Sequence, residues 1–415
     1  MVRYDVQNPE QQDLRNWMVQ NPQRIHLGRV GLVLKKKNGS IASLGDLQTP
    51  EQVLDLWSGI STSTFSVSSE PVTVTTIGHP SKDAIAVRIK SRKVAEGSIG
   101  IFIDFPYASL HEFGNGADWE KPDKHQTNET VNGRQACFQR TMDDTRYDVR
   151  MSWDQQVDFK KIKGHRYELM PVTKSDEICF IVCFDKEKDQ SPLPTFAQTE
   201  QESIKHWADY WQSGGAIDLS ESKDPRWKEL ERRIVLSQYI MAVNEAGSLP
   251  PQESGLVNNG WYGKYHHEMI WWHCTHYALW NRWPLMDKMM EVYPDNLEMY
   301  KKSAKAQGYK GVRWPKTIGD RTWWEWPNET NPLLIWQQPH AIFFAELDYR
   351  AHPTRETLDK WKEVVFETAN FMASYAYYNK KEKRYILGYP VQVVSENCDP
   401  RITYNPTFEL SYWLT

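Results

Sequence analysis

Two short stretches of the 415-residue chain concentrate side chains able to do chemistry. The first is Lys264-Tyr265-His266-His267-Glu268, followed by His273 and His276; the second is Val393-Val394-Ser395-Glu396-Asn397. The histidines invite a metal reading, but the H-E-x-x-H spacing is missing, because four residues separate Glu268 from His273 where that motif allows two. Contacts to ligand hydroxyls, or roles as satisfied core histidines, suit them better. Glu396 suggests proton transfer. A carboxyl group walled by aromatic rings holds its proton to a higher pH, because burial disfavours the charged form, and such a group can protonate a leaving oxygen. The plain alternative is a solvated loop glutamate, the usual setting of that residue.

Rings are abundant: the chain has 19 Trp and 20 Tyr. Trp combines a large apolar plate with a polar N–H, which suits amphipathic ligands such as carbohydrate, although most rings serve core packing. The net charge of −4 and the scattered Lys and Arg argue against a nucleic-acid partner. No stretch approaches the ~20 apolar residues of a membrane-spanning helix. Cys137, Cys179, Cys183, Cys274 and Cys398 show no paired spacing, so no disulfide framework is expected, and Cys179 and Cys183 read as small core residues. The start, M-V-R-Y-D-V-Q-N-P-E, lacks a charged-then-apolar export signal, which leaves the compartment open.

The elements that must position these residues change character along the chain. From about Gly28 to Asp185, period-two runs recur between turn residues: 29–34, 71–77, 84–90, 98–105, 147–153 and 177–184. They predict an N-terminal antiparallel β-sandwich over residues 1–195. A Pro-containing connector, S-P-L-P (191–194), then leads into a helical linker over 196–223 that stops at Gly214-Gly215. From Asp224, a carboxylate N-cap followed by Pro225, the spacing is helical. Helices are predicted over 227–246, 266–282, 296–307, 339–350 and 353–378, with a sixth from about Pro406 and no strand after residue 240. The links 247–265, 308–338 and 379–405 are long, and in a ring of α-hairpins alternate links share an end. Long ordered loops are usually functional. Trp261, Tyr262, Tyr309, Trp314, Trp323, Trp324, Trp326 and Trp336 fall in the first two, which predicts a Trp-lined pocket on that face.

Three segments carry a resemblance. G-W-Y-G-K-Y-H-H-E-M-I-W-W (260–272) is placed like a G-H-x-F-W-D-T-E segment, and A-K-A-Q-G-Y-K-G-V-R-W-P (304–315) is close to a G-Y-K-G-A-x-x-P-W loop. F-E-T-A-N-F-M-A-S (366–374) with V-V-S-E-N-C-D-P-R-I-T-Y-N-P-T-F (393–408) looks like E-T-A-R-F-W-x-S followed by G-P-D-E-Y-H and N-N-A-Y. In these the chain resembles glycoside hydrolase family 65, the maltose and kojibiose phosphorylase family, and its toroidal relatives; S-E-N is also similar to the acid segment of family 95 fucosidases. The likeness runs from the linker helix to the end, with a looser match in the β-domain.

The resemblance implies an α+β protein whose residues 224–415 form the first half of an α/α toroid of six hairpins. It implies an inverting glycoside hydrolase with Glu396 as general acid, and His267 and Glu268 where the family keeps a Trp-Asp pair that holds the sugar. Trp261, Tyr262, Lys264, Lys310, Trp314, Gln338 and His340 are the further substrate-binding candidates. Ser395 and Asn397 replace Asp and Tyr around the acid, and His-His-Glu replaces Phe-Trp-Asp. A carbohydrate substrate is expected, with no cofactor, metal, nucleic acid or membrane. The second carboxylate that inversion by water requires is expected beyond Thr415, which reads the sequence as a fragment. A phosphorylase would use phosphate instead, a polysaccharide lyase would place its sandwich after the helices, and a sugar-binding protein would keep the rings without Glu396. If the three long links share a face, Glu396 lies buried against rings in a cleft with Glu268, His267, Trp314 and Lys264, its pKa raised.

Overall fold

The computed structural model describes residues 8–186, 191–319 and 324–415. The chain is α+β and divides into two compact units: Ile25–Ser109 with Asn115–Ser213, and Met1–Arg24 with Leu110–Gly114 and Gly214–Thr415. This division differs from the expected boundaries, and two helices show it, beside the stretch Leu110–Gly114 that joins the helical unit. The helix Phe196–Ser213 belongs with the sheets instead of forming a separate linker, and the N-terminal helix Gln12–Gln20 belongs with the helices.

The sheet unit is antiparallel throughout its two large sheets. One has eight strands, in the order Leu47–Asp55, Ile60–Val67, Glu70–Gly78, Ala84–Lys90, Glu177–Asp185, Thr145–Trp153, Gln135–Met142 and His125–Asn132. The other has four: Arg29–Leu34, Ile99–Asp104, Arg166–Pro171 and Val157–Lys163. Period-two alternation sends Val72, Val74, Phe138, Val149, Met151, Ile178, Phe180 and Val182 from the larger sheet into one core with Ile99, Ile101, Ile103, Tyr167 and Leu169 from the smaller. The opposite face of the larger sheet offers Ile77, Ala84, Ala86, Ile181 and Cys183 to Phe196 of the helix. That helix is fastened by hydrogen bonds from Trp211 Nε1 to the Leu56 carbonyl, 2.7 Å, and from Ser203 Oγ to the Ser58 carbonyl, 2.8 Å. Gly59 is required beneath it: its φ is +69°, and a Cβ there would meet the Trp207 ring.

In the helical unit the 3.6-residue period gives Trp227–Asn244, Ile270–Leu279, Val292–Ala306, His340–Ala351, Arg355–Tyr375 and Thr407–Trp413, with the short helix Trp283–Met290 between the second and third. Asp224 accepts the Arg226 N–H at 2.9 Å just before the first helix. Thr354 caps Arg355–Tyr375 by accepting from Thr357 N–H. Their inner faces bury Cys274, Tyr277, Met286, Met289, Tyr293, Tyr300, Phe344, Trp361 and Val364 in a second core. Two expectations are corrected here. Short two-stranded ladders do occur after residue 240, Tyr265–His266 with Thr317–Ile318 and Tyr377–Asn379 with Arg384–Ile386. The second helix therefore starts at Ile270 and not at His266, whose backbone is committed to pairing with Thr317.

Inside the sheet unit, Arg140 is buried away from any carboxylate among the described residues, and oxygen and imidazole acceptors satisfy it. Its guanidinium donates to the carbonyls of Gln126 and Pro106, to Thr127 Oγ1 and to His125 Nδ1 at 2.6 Å. The His125 ring stacks on His165 at 3.8 Å. Burial first, then Arg140 and His165, push the His125 pKa from 6.5 down to about 3. The unfolded chain therefore takes up this proton at a higher pH than the folded one, so the stabilisation is complete above about 6.5 and is lost as the pH falls toward 3. Amide exchange protection in His125–Asn132 and Gln135–Met142 is expected to drop between pH 7 and 4.5, after correction for intrinsic rates, and to drop less in His125→Gln. Protection equally pH-dependent in both proteins would contradict this account.

Candidate active site

The site is assembled by a loop that runs through the interior. Residues 312–319 are all buried, so their backbone groups need partners inside the protein. Asn331 supplies them. Its Oδ1 accepts from Lys316 N–H at 2.6 Å and Thr317 N–H at 3.3 Å, while its Nδ2 donates to the carbonyls of Thr317 and Trp326 at 2.9 and 2.8 Å. Gln338 does the same for Trp314, accepting its N–H and donating to its carbonyl at 2.8 and 2.7 Å.

This loop holds Glu268 in place. The Glu268 N–H donates to the Lys316 carbonyl at 3.1 Å, continuing the Tyr265–His266 ladder by one step. His340 Nε2 donates to the Glu268 carbonyl at 3.0 Å, which leaves Nδ1 to accept from the Tyr412 hydroxyl at 2.9 Å. The buried carboxylate of Glu268 accepts from Trp336 Nε1 at 2.9 Å and lies 3.4 Å from Lys316 Nζ and 3.8 Å from His266 Nδ1. Burial raises its pKa; Lys316 and the Trp336 hydrogen bond oppose this, and Glu396 adds to it.

Glu396 reaches the same ammonium from the third connection, where its Oε1 pairs with Lys316 Nζ. It sits at the end of a tight turn, its N–H donating to the Val393 carbonyl at 2.9 Å, with φ at +52°. The turn is fixed from below: Val394 N–H donates at 2.7 Å to Oε1 of the fully buried Glu409, in the first turn of Thr407–Trp413. Two carboxylates from different connections thus share one lysine.

Several expectations need correction. The Glu396 side chain is 34% exposed and faces an ammonium, not a wall of rings. Burial raises the carboxyls of Glu268, Glu409 and Glu245, the last to about 7, and that of Glu112. Trp314 is not a plate for a ligand: it is fully buried, its indole N–H donates to Thr368 Oγ1 at 2.9 Å, and His267, Tyr293 and Tyr300 pack around it. The space a ring would offer a sugar is filled by helix side chains. His267 is also core, stacked on Tyr293, with burial holding its pKa down to about 3. Lys264 is buried and donates to the Pro22 carbonyl, with the Trp324 ring 5.7 Å away. Trp261 and Tyr262, both at positive φ, are partly buried against Trp326, and Trp336 is consumed by Glu268. Lys310 is exposed, its backbone N–H bonded to Ser374 Oγ. Trp323 lies outside the described residues. Of the ten candidates the structure gathers Glu268 and Glu396, with His340 behind them. Lys316 and Glu409 were missed. Each is an ordinary charged residue without a spacing signal, and only the buried setting of V-R-W-P-K-T-I could have marked the first.

No family model matches the chain, and no curated protein matches its sequence. Solved structures do. A putative kojibiose phosphorylase from the human microbiome aligns with a TM-score of 0.68 at 14% identity, over 94% of this chain and 55% of that one. A bacterial glucoamylase complexed with acarbose aligns with a TM-score of 0.53 at 8% identity, over 84% and 53%. The chain therefore spans about half the length of the structures it matches, and the resemblance read from its three motifs holds as a shared fold.

Two outcomes follow from the packing. Asn331→Leu preserves shape but strands two N–H groups and up to two carbonyls, each costing roughly 1–3 kcal/mol when buried; urea unfolding is expected to register a loss of at least about 3 kcal/mol, and a loss below about 1 would mean the clamp is dispensable. His267 has no hydrogen-bond partner on either ring nitrogen among the described residues. His267→Phe is therefore expected to match or exceed the parent in thermal stability at pH 7, and to lose less of it on acidification from 6.5 toward 3, the range over which the neutral core imidazole is penalised. A marked destabilisation at pH 7 would show that those nitrogens have a structural role.

Proposed function

We propose that this chain belongs to a carbohydrate-active enzyme that cleaves glycosidic bonds with inversion, Glu396 donating the proton and Glu268 holding the sugar at the point of cleavage. In this reading the two sheets act as a β-sandwich and the helices as successive hairpins of an α/α toroid. The observation that carries it is the convergence of Glu268 and Glu396 on Lys316 from separate connections. A fold shared with a kojibiose phosphorylase and a glucoamylase supports a sugar as the substrate.

The chemistry asks for a carboxylic acid to protonate the leaving oxygen while a nucleophile attacks the anomeric carbon from the opposite face. Glu396 suits the donor role, since about a third of its side chain is open to a ligand and its turn is anchored from within by Glu409. Glu268 suits a binding role, because it is fixed through backbone and carboxylate alike, and a buried acceptor discriminates strongly between ligands that do and do not offer a hydroxyl. The nucleophile separates two readings. Water makes the enzyme a hydrolase; inorganic phosphate makes it a phosphorylase, a second reading favoured by the fold shared with the kojibiose phosphorylase.

Aryl glycosides and α-linked disaccharides, each assayed with and without phosphate, test both. Glu396→Gln is expected to lower turnover of substrates with poor leaving groups by about 10²–10⁴-fold, the usual worth of general acid catalysis, while calorimetric sugar affinity changes little. Undiminished turnover of a disaccharide by Glu396→Gln would remove Glu396 from the donor role.

A further inference from the structure

We propose that Lys316 is a shared counter-ion that passes between Glu396 and Glu268 and thereby decides which of the two carboxyls carries the proton. This makes it a positioning residue for the donor, and it rests on the reading of Glu396 as the acid. No covalent step is involved. The proton comes from solvent, resides on Glu396 and leaves with the departing oxygen; Lys316 stays an ammonium throughout.

The geometry has three parts. First, the Lys316 backbone is fixed at both ends, its N–H on Asn331 Oδ1 at 2.6 Å and its carbonyl accepting from Glu268 N–H at 3.1 Å, so only the end of the side chain can travel. Second, Nζ touches Glu396 Oε1 and stands 3.4 Å from Glu268 Oε2, long for a charge-assisted hydrogen bond and within a small rotation of a full one. Third, the surroundings hold few competing charges. His266, beside Glu268, is kept neutral by burial and by Lys316; Glu253 is reached only through His266, at 3.6 Å; and Arg313 is engaged by Glu325 and the Asn331 carbonyl. Among the described residues the local set is two carboxylates and one ammonium, so a single proton neutralises it.

A protonated Glu396 cannot hold an ammonium as an ion pair. A buried, ionised Glu268 needs one, because burial disfavours its charge. Movement of Lys316 toward Glu268 meets both demands at once, and the proton goes to Glu396. Without the ammonium the two carboxyls titrate as a coupled pair, and the more buried one, Glu268, becomes the better proton acceptor.

The test follows the protons directly. With glutamate δ-carbons labelled by ¹³C and assigned through Glu268→Gln and Glu396→Gln, carboxyl resonances are followed from pH 4 to 9. In the parent chain Glu268 is expected to stay ionised through the transition of Glu396. In Lys316→Met the transition is expected to move to Glu268 and to rise by about 1–3 units, the usual effect of losing an adjacent opposite charge, while Lys316→Arg keeps the parent pattern. Unchanged titration of both carboxyls in Lys316→Met would overturn the proposal. Should Lys316→Met fail to fold, a crystal structure of Glu396→Gln decides: Nζ is expected about 2.8 Å from Glu268 Oε2, and Nζ remaining on the side chain at 396 would equally overturn it. Neither measurement depends on turnover, so an inactive chain, or a Glu396→Gln that remains active, counts against the proposed function and not against the counter-ion.

Discussion

A chain segment that crosses a protein interior outside helix or sheet must find a partner for every peptide group, and the helical unit is organised around that requirement. The connection from Gly308 to Pro339 is buried along residues 312–319. Four buried side-chain amides serve it and its neighbour. Asn331 and Gln338 complete the backbone of Lys316, Thr317 and Trp314; Gln337 donates to the carbonyls of Trp314 and Leu334 at 3.2 and 3.1 Å; Gln252 accepts from Gly260 N–H at 3.1 Å in the preceding connection. An amide side chain carries both donor and acceptor and so imitates the peptide group it replaces. Because these bonds fix Thr317 against His266, they also fix Glu268 a short way further on.

The same burial sets the electrostatics. His266, His267, His273 and His340 all have lowered pKa values, with burial the leading cause in each, so four potential cations stay neutral around the site. Glu245 and Glu409, raised by burial, lean toward neutrality from the other side. Lys316 with its two carboxylates, like Arg313 with Glu325, is a charged group with defined partners in this interior.

Much of this architecture was legible beforehand because it rests on periodicity. Strands Arg29–Leu34 and Ala84–Lys90 and the start of helix Trp227–Asn244 fall where alternation and spacing placed them, since local periodicity carries their signal. The His266 region failed for the same reason: its helical spacing was outweighed by backbone pairing with Thr317, a contact across the fold that no local pattern encodes. At the site, Glu268 and Glu396 could be marked by motif. The tryptophans misled because a loop that lines a pocket and a loop that is itself part of the core have the same composition. Trp314 belongs to the second kind, and the Val312 and Ile318 that flank it were the clue. Gln338 and His340, expected as ligand contacts, hold the Trp314 and Glu268 backbone in this fold.

Stability alone gives little reason for the charged trio. Burying Glu268 and the Lys316 ammonium costs several kcal/mol per ion, and replacing a buried ion pair by well-packed apolar residues is often neutral or stabilising by about 1–4 kcal/mol. The surrounding unit shows that such a replacement was available, for Cys274, Tyr293 and Trp314 fill comparable depths with apolar contact. The Lys316 backbone is already held by Asn331 and Glu268, so what its side chain adds is the pairing with the Glu268 and Glu396 carboxylates. An ammonium placed where two carboxylates from separate connections meet, one of them partly open to solvent, both ties those connections together and, on the counter-ion reading, sets which carboxyl takes a proton.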